Sequence, residues 1–437
     1  MPVTFEAPRD FADPAARGGA FDQIASLGTR SLRVILYWND VAPDHDSATK
    51  PGVDLTDPGV YDWSKYDPIL AEAKARGWNV LLTVTGPVPQ WATKARRDHL
   101  TRPVPAEYQA FITALARHYG GQVHEWSVWN EPNHPDFLLP QYSAKGHRAL
   151  SPGIYRQLFL AAWRGLRAAG RGTDTLLMGE TAPVGTGHAV APLTFLRGAL
   201  CLDAHYRKRK GCSNLPADGY AHHAYTTRLG PFYKPSGPND VTIGALSRLT
   251  RALDRAAAAG AVRRGLPIYL TEFGIQTDPP DHIYGVSLAQ QAEYYAISER
   301  LAWANPRVAA FSQYLLTDDV SVPDGFQSGL RFTNGKIKTA GYNGFRLPLV
   351  AVRGGTRVTL WGRVRPATGP TTVQVLQADR GRPFRLLRAK ATDRYGVWTF
   401  RASWRQGRRW RARWTAADGT VFTGPPIRSY TSSGKVG

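Results

Sequence analysis

Along most of this chain, short runs of nearly continuous apolar residues alternate with longer segments whose apolar positions recur every three or four residues. The runs fall at Val3 to Glu6, Leu32 to Tyr37, Asn79 to Val84, Val123 to Trp129, Thr175 to Gly179, Gly219 to Ala224, Pro267 to Thr271 and Val308 to Leu315. Runs of this length that are apolar at successive positions predict strands of a parallel sheet covered on both faces. The segments between them predict amphipathic helices. In one, Ile154, Tyr155, Leu158, Phe159, Ala162, Trp163 and Leu166 form a stripe opened by Ser151-Pro152 and stopped at Gly170. Similar stripes pass through Phe21 and Ile24, through Tyr66, Ile69 and Leu70, through Tyr108, Phe111, Ile112 and Leu115, and through residues 289 to 303. Eight such units over residues 1–348 predict a (β/α)8 TIM barrel. No glycine fingerprint of a dinucleotide or phosphate loop follows any of the strands, which argues against an open doubly wound sheet.

After Leu347-Pro348 the pattern changes. Short segments with period-two alternation, Arg357 to Val364, Thr372 to Gln377, Gly396 to Ala402 and Trp410 to Thr415, are separated by turn-forming glycine, proline and aspartate. They predict a small all-β sandwich of immunoglobulin or fibronectin type over residues 349–430, with a disordered tail at 431–437. The fold class expected is α/β, a TIM barrel followed by an accessory sandwich.

Composition sharpens this picture in three places. The chain of 437 residues is 43% apolar, ample for a large core. It contains no stretch near the roughly 20 apolar residues of a membrane span. Cys201 and Cys212 lie close together in a polar segment, spaced unlike a zinc or redox motif, and a loop disulfide is the preferred reading over two free thiols. A disulfide implies a secreted, extracellular protein whose export leader is not part of this sequence, since Met1-Pro2-Val3-Thr4 opens directly on folded-looking sequence. The net charge of +21 is uneven: residues 351–437 hold 18 Lys and Arg against 3 acids. The segment from Arg405 to Trp414 could grip an anionic polymer, but no nucleic-acid motif accompanies it. A solvated, arginine-rich sheet face is the preferred reading, with no nucleic acid as partner.

Candidate chemistry stands at strand ends. The fourth run leads into Trp129-Asn130-Glu131-Pro132 and the seventh into Thr271-Glu272-Phe273-Gly274, so two barrel strands each deliver a glutamate to the C-terminal face, where barrel enzymes carry their sites. Pro132 biases Glu131 away from helical torsions. The strand period places Ile268, Leu270 and Glu272 on one face, predicting that Glu272 extends a core-facing column into the mouth. On the sixth strand the pleat puts His223 and Tyr225 on one face and His222 on the other, a poor arrangement for a metal, so no metal and no cofactor are expected.

The paired tetrads resemble those of the clan A glycoside hydrolases, which include families 5 and 39, over roughly residues 1 to 348. The resemblance implies a retaining hydrolase of a β-linked oligo- or polysaccharide, with Glu131 as general acid/base and Glu272 as nucleophile, about 5 to 5.5 Å apart. It implies that Asn130 holds the sugar 2-hydroxyl. His223-Ala224-Tyr225 resembles the clan's His-x-Tyr, in which the tyrosine hydrogen-bonds the nucleophile and the histidine contacts substrate. Arg33 resembles the arginine that orients the nucleophile, although a structural arginine buried by pairing would look the same. The tryptophan expected at the end of strand eight is replaced in Phe311-Ser312-Gln313-Tyr314-Leu315-Leu316, where Tyr314 or Gln313 would substitute. Trp38 and Trp91, each just past a strand, are candidates for sugar stacking. Glu180 is a substrate contact or a salt-bridge partner. Two basic segments, Lys94 to Arg102 and Arg207 to Lys210, are expected on the catalytic face, where they would favour an anionic or large polysaccharide, although a general basic surface is the preferred reading. The alternative reading is a catalytically silent carbohydrate-binding or cell-envelope-binding protein that uses the cleft and the basic C-terminal region.

Overall fold

The structure, a computed structural model, describes residues 1–437 except 145–147, 323, 368, 432, 433 and 435–437. Eight parallel strands close into a barrel in sequence order: β1 (Val3–Glu6), β2 (Ser31–Tyr37), β3 (Asn79–Thr85), β4 (Glu125–Val128), β5 (Thr175–Thr181), β6 (Gly219–His223), β7 (Ile268–Glu272) and β8 (Val308–Tyr314). All eight fall where the apolar runs predict them. Strand pairing in β4 ends at Val128, earlier than expected, while β5 extends two residues further, through Thr181.

The two faces of each strand have separate roles. Outward-facing Phe5, Leu32, Val34, Leu36, Leu82 and Phe311 join the helices in one large apolar cluster. Inside the barrel, Leu81, Leu177, Ala221 and Tyr269 form a small apolar layer of their own. Above that layer, toward the C-terminal ends of the strands, the interior turns polar. The helix Ser151–Ala168 buries Tyr155, Leu158, Phe159, Ala162 and Leu166, the stripe read from the sequence. It packs closely on the helix Pro105–Tyr119 through Gly165, where a Cβ would meet the Gln109 carbonyl oxygen at 2.7 Å and the Ile112 side chain at 2.9 Å.

Residues from 349 onward form two four-stranded sheets. One has the order β13 (Val397–Ser403), β10 (Arg357–Arg363), β9 (Leu349–Gly354), β16 (Ser429–Thr431); the other has the order β12 (Arg385–Ala391), β11 (Thr372–Ala378), β14 (Arg409–Thr415), β15 (Val421–Thr423). Val358, Leu360, Val373, Val375, Trp398 and Trp410 fill the space between them. The sequence pattern missed β9, β12 and the short β15 and β16, the first two for different reasons. In β9, Leu349, Val350 and Ala351 are all buried, because Val350 packs outward with Ala296 and Ile297 of a barrel helix, so alternation is lost. In β12 most positions are exposed, and its apolar residues, with Leu386 and Leu387 adjacent, do not alternate with polar ones. The expected disordered tail is corrected at Thr431, which pairs with Arg353; most of the rest of 431–437 lies outside the described residues.

Charged contacts also join the sheets to the barrel. Glu299, buried on the helix Leu288–Trp303, accepts from Arg363 at 3.3 Å and from Arg365. Other arginines are drawn into packing: Arg353 lies 3.3 Å from the Trp404 ring centre, Arg409 and Arg411 flank Phe384, and Arg408 pairs with Asp379 at 2.6 Å. The basic composition of this region therefore serves the fold at these positions. Cys201 and Cys212 are bonded, with their Cα atoms 6.3 Å apart. Among the described residues, no helix is long and apolar enough to cross a membrane.

Candidate active site

Four carboxyl groups converge at the C-terminal mouth of the barrel. Glu6 arrives by simple alternation, in phase with Thr4 on β1. The other three arrive through local irregularities. In the pairing of β6 with β7, Ala221 faces Tyr269 but His223 faces Glu272, so β7 carries one extra residue between these points. Tyr269 and Thr271 are the inward residues of β7, whereas Ile268 and Leu270 pack outward against the helices. The core-facing column expected from simple alternation is thus corrected: the extra residue resets the phase and turns Glu272 into the mouth. A similar shift in β5 follows Gly179 and turns Glu180 inward with φ 50°. Glu131 lies three residues beyond the last paired residue of β4, with Trp129 at φ 70° and Glu131 at φ 37°. Both are in the left-handed region, where non-glycine residues are strained and must be held by their surroundings. The Glu131 N–H donates to the Glu180 carbonyl at 2.9 Å and the Asn130 N–H to Thr85 Oγ1 at 3.0 Å, which fixes this bend.

Arg33 is the hub. Its Nη1 donates to Glu6 Oε2 at 2.7 Å and Glu272 Oε1 at 2.5 Å, its Nη2 to Asn130 Oδ1 at 2.8 Å and Glu180 Oε2 at 3.0 Å, and its Nε to Thr83 Oγ1 at 3.0 Å. Because guanidinium only donates, the Asn130 oxygen must face it, which leaves the Asn130 amide nitrogen for a substrate oxygen. His223 is a second hub, with Nδ1 2.9 Å from Glu131 Oε1 and 3.4 Å from Glu272 Oε2, and Nε2 2.7 Å from Glu180 Oε2. Tyr225 donates its hydroxyl to Glu272 Oε2 at 3.0 Å.

Burial and charge pull these groups in different directions. Burial pushes the Glu6 carboxyl up to about 8 despite the adjacent Arg33. Burial acts the same way on Glu180, but there the Arg33 charge and the His223 hydrogen bond outweigh it and hold the carboxyl at about 2. For His223, burial disfavours the imidazolium, yet the Glu272 charge and the hydrogen bonds to Glu131 and Glu180 win and raise it to about 10. His222, on the opposite face, bonds Thr181 and the Val241 carbonyl, and burial lowers it to about 4. Four carboxyls thus face two fixed cations, Arg33 and protonated His223, and a neutral Glu6 relieves part of the excess negative charge.

Of the sequence-predicted residues, Glu131, Glu272, Asn130, Arg33 and Tyr225 come together in one cluster, and Tyr314 closes β8 with its ring edge-on to Tyr225 at 6.3 Å and to Phe326 at 5.2 Å. Others are corrected. Trp38 and Trp91 are 0% and 1% exposed. Trp38 stacks on Phe111 at 5.0 Å and meets Trp91 edge-on, so both are wall packing without a face for sugar. His223 is fully buried with both nitrogens committed to carboxylates; it positions the acids and does not reach a substrate. Gln313 bonds the Leu315 and Ser328 carbonyls from a buried position, which leaves Tyr314 as the strand-eight candidate. Of the two basic segments, Lys94 to Arg102 follows β3 on the catalytic side. Arg207 to Lys210 lies after the helix Pro192–Ala199 and before β6, which puts it at the opposite end of the barrel, where Lys208 reaches Asn214. Sequence reasoning missed Glu6; its signal was a carboxyl in phase with Thr4 at the C-terminal end of the first strand.

Glu131, His223 and Glu272 present donor atoms within 4.8 Å of one another, the spacing of a metal-ligand trio. The imidazole does not suit that role. Both of its nitrogens are already engaged, Nδ1 with Glu131 and Nε2 with Glu180. A cavity of about 660 Å³ opens beside Glu131, bounded by the segments that follow β5, β6, β7 and β8.

No protein-family model and no curated protein matches this sequence. Solved structures do match. A glucosidase from Croceicoccus marinus aligns at 13% identity and TM-score 0.53, over 93% of this chain and 94% of that one. β-Glucuronidase 2 of Bacteroides uniformis aligns at 12% identity and TM-score 0.49 over 99% of this chain, which spans only 46% of that protein's length. Xylanase B from Clostridium stercorarium aligns at 17% identity and TM-score 0.47, over 79% of this chain and 96% of that one. The fold is therefore one shared with the Croceicoccus marinus glucosidase.

Proposed function

We propose that this chain is a retaining glycoside hydrolase acting on a β-linked glycoside, with Glu272 as nucleophile and Glu131 as acid/base. The observation that carries this reading is the pair itself: Glu131 and Glu272 bring carboxylate oxygens within 4.8 Å of each other at the barrel mouth. Oxygens this close fit the roughly 5 to 5.5 Å of double displacement better than the roughly 6.5 to 9.5 Å that an inverting enzyme uses to admit water between the acids. In the first step Glu272 Oε attacks the anomeric carbon while Glu131 gives its proton to the departing glycosidic oxygen. In the second, Glu131 takes a proton from water, and that water displaces Glu272 from the sugar. Arg33 and Tyr225 both donate to Glu272, which suits an ionised nucleophile and orients its lone pairs. The Asn130 oxygen is held by Arg33, and in this reading its amide nitrogen meets a sugar hydroxyl. The disulfide supports a location outside the reducing cytosol. Alkylation of both cysteines in protein taken natively from its source would argue against that location.

A panel of aryl β-glycosides and β-linked oligosaccharides run with wild type, Glu131→Gln and Glu272→Gln tests the reading. Turnover by wild type that collapses in Glu272→Gln is expected. Sugar binding without turnover would return the chain to the class of carbohydrate-binding proteins.

A further inference from the structure

The cavity beside Glu131 has largely apolar walls. It touches Glu131 but neither Glu272 nor Arg33, so it lies on the side of the site where a leaving group would sit. Its walls include Pro183, Val184, Leu229, Ile275, Tyr284 and Phe326. Several of its polar side chains hold its own loops: Thr226 donates to the Gly230 carbonyl, Thr186 accepts from the His188 and Ala189 N–H groups, Gln276 accepts from the Gln327 N–H, and Arg228 donates to the His282 and Ile283 carbonyls, while His134 and Tyr233 also line the cavity. The rim is apolar as well. Leu229 is 71% exposed and Tyr284 57%, and Ile283, Val320, Val322 and Phe326 on the same loops are also exposed. Exposed apolar side chains grouped around one opening mark a binding surface, whereas single ones scattered over a surface do not.

We infer that this cavity is the leaving-group site and that it takes an apolar aglycone, an alkyl or aryl group, in preference to a second sugar. The inference rests on the reading of Glu131 as the acid that protonates the leaving oxygen. A pyranose would need its hydroxyls matched by free donors and acceptors, and unmatched polar groups against an apolar wall cost binding. A hydrocarbon chain needs only contact area.

The test compares binding of methyl β-D-glucopyranoside, hexyl β-D-glucopyranoside and cellobiose to the intact chain by calorimetry, with hydrolysis of the same three followed separately. Partial burial of each added methylene gives about a twofold gain, so hexyl should bind at least roughly tenfold tighter than methyl. Leu229→Asp and Tyr284→Ser, both at exposed positions where the fold tolerates change, should bring that ratio toward one. Leu386→Asp, an exposed apolar residue on the C-terminal sheets, should leave it unchanged. Equal binding of hexyl and methyl, or tighter binding of cellobiose than of hexyl, would overturn the inference. Hexyl-selective binding with no hydrolysis of any glycoside would keep the cavity assignment and remove the enzymatic one. Hydrolysis without chain-length preference would do the reverse.

Discussion

His223 Nδ1 lies 2.9 Å from Glu131 Oε1, and the same nitrogen is 3.4 Å from Glu272 Oε2. One protonated ring therefore ties the proposed acid to the proposed nucleophile and sets their separation, while its other nitrogen is anchored on Glu180.

This arrangement has a pH signature. The His223 pKa rises from 6.5 to about 10 on folding, so its contribution to stability is full below 6.5 and is lost as pH climbs through 10. Wild type should lose stability relative to His223→Asn over that interval. Urea unfolding midpoints of the two proteins, taken at steps between these pH values, check it; parallel curves would refute a protonated ring.

Glu6 gives a second alkaline effect by a different route. Its carboxyl rises from 4.5 to about 8, chiefly through burial, so the stability it gains as a neutral group is present below 4.5 and disappears as pH passes through 8. Glu6→Gln keeps the shape and an acceptor for Arg33 but never ionises. The variant should match wild type below pH 4.5, pull ahead in thermal stability as pH rises, and keep its full lead above pH 8.

Arg33 satisfies five acceptors from a position with no exposure of its side chain. Lysine has no planar fork and must abandon several of them, stranding buried carboxylates. Arg33→Lys should cost about 3–5 kcal/mol in unfolding free energy. A variant as stable as wild type would show that the network is dispensable.

Tyr225→Phe removes one hydrogen bond to the nucleophile and little else. A hydrogen bond to a charged acceptor is worth about 1.5–3 kcal/mol, which corresponds to a fall in kcat/KM of about 10- to 100-fold. Unchanged melting temperature with reduced kcat would locate the effect in catalysis; unchanged kcat would remove Tyr225 from the site.

The barrel could be read from the sequence because its strands are apolar on both faces and recur eight times between well-marked helices. Glu131 and Glu272 could be read because each closes a predicted strand. What alternation cannot encode is an extra residue: the shift between Tyr269 and Glu272, and the left-handed turns at Trp129, Glu131 and Glu180, decide which way those carboxylates face. Trp38 and Trp91 illustrate a second limit, since an aromatic just past a strand end fits a packed wall as well as a sugar platform. Glu6 illustrates a third, because a four-residue strand is too short for its phase to stand out.

The most direct measurement of the central claim is the stereochemistry of azide rescue with an activated aryl β-glycoside. In Glu272→Ala, azide occupies the space of the missing nucleophile and should restore turnover to give the α-glycosyl azide. In Glu131→Ala, the glycosyl-enzyme still forms, and azide should enter from the opposite face to give the β-glycosyl azide. Absence of rescue in both variants, or the two anomers exchanged between them, would contradict the assignment of Glu272 as nucleophile and Glu131 as acid/base.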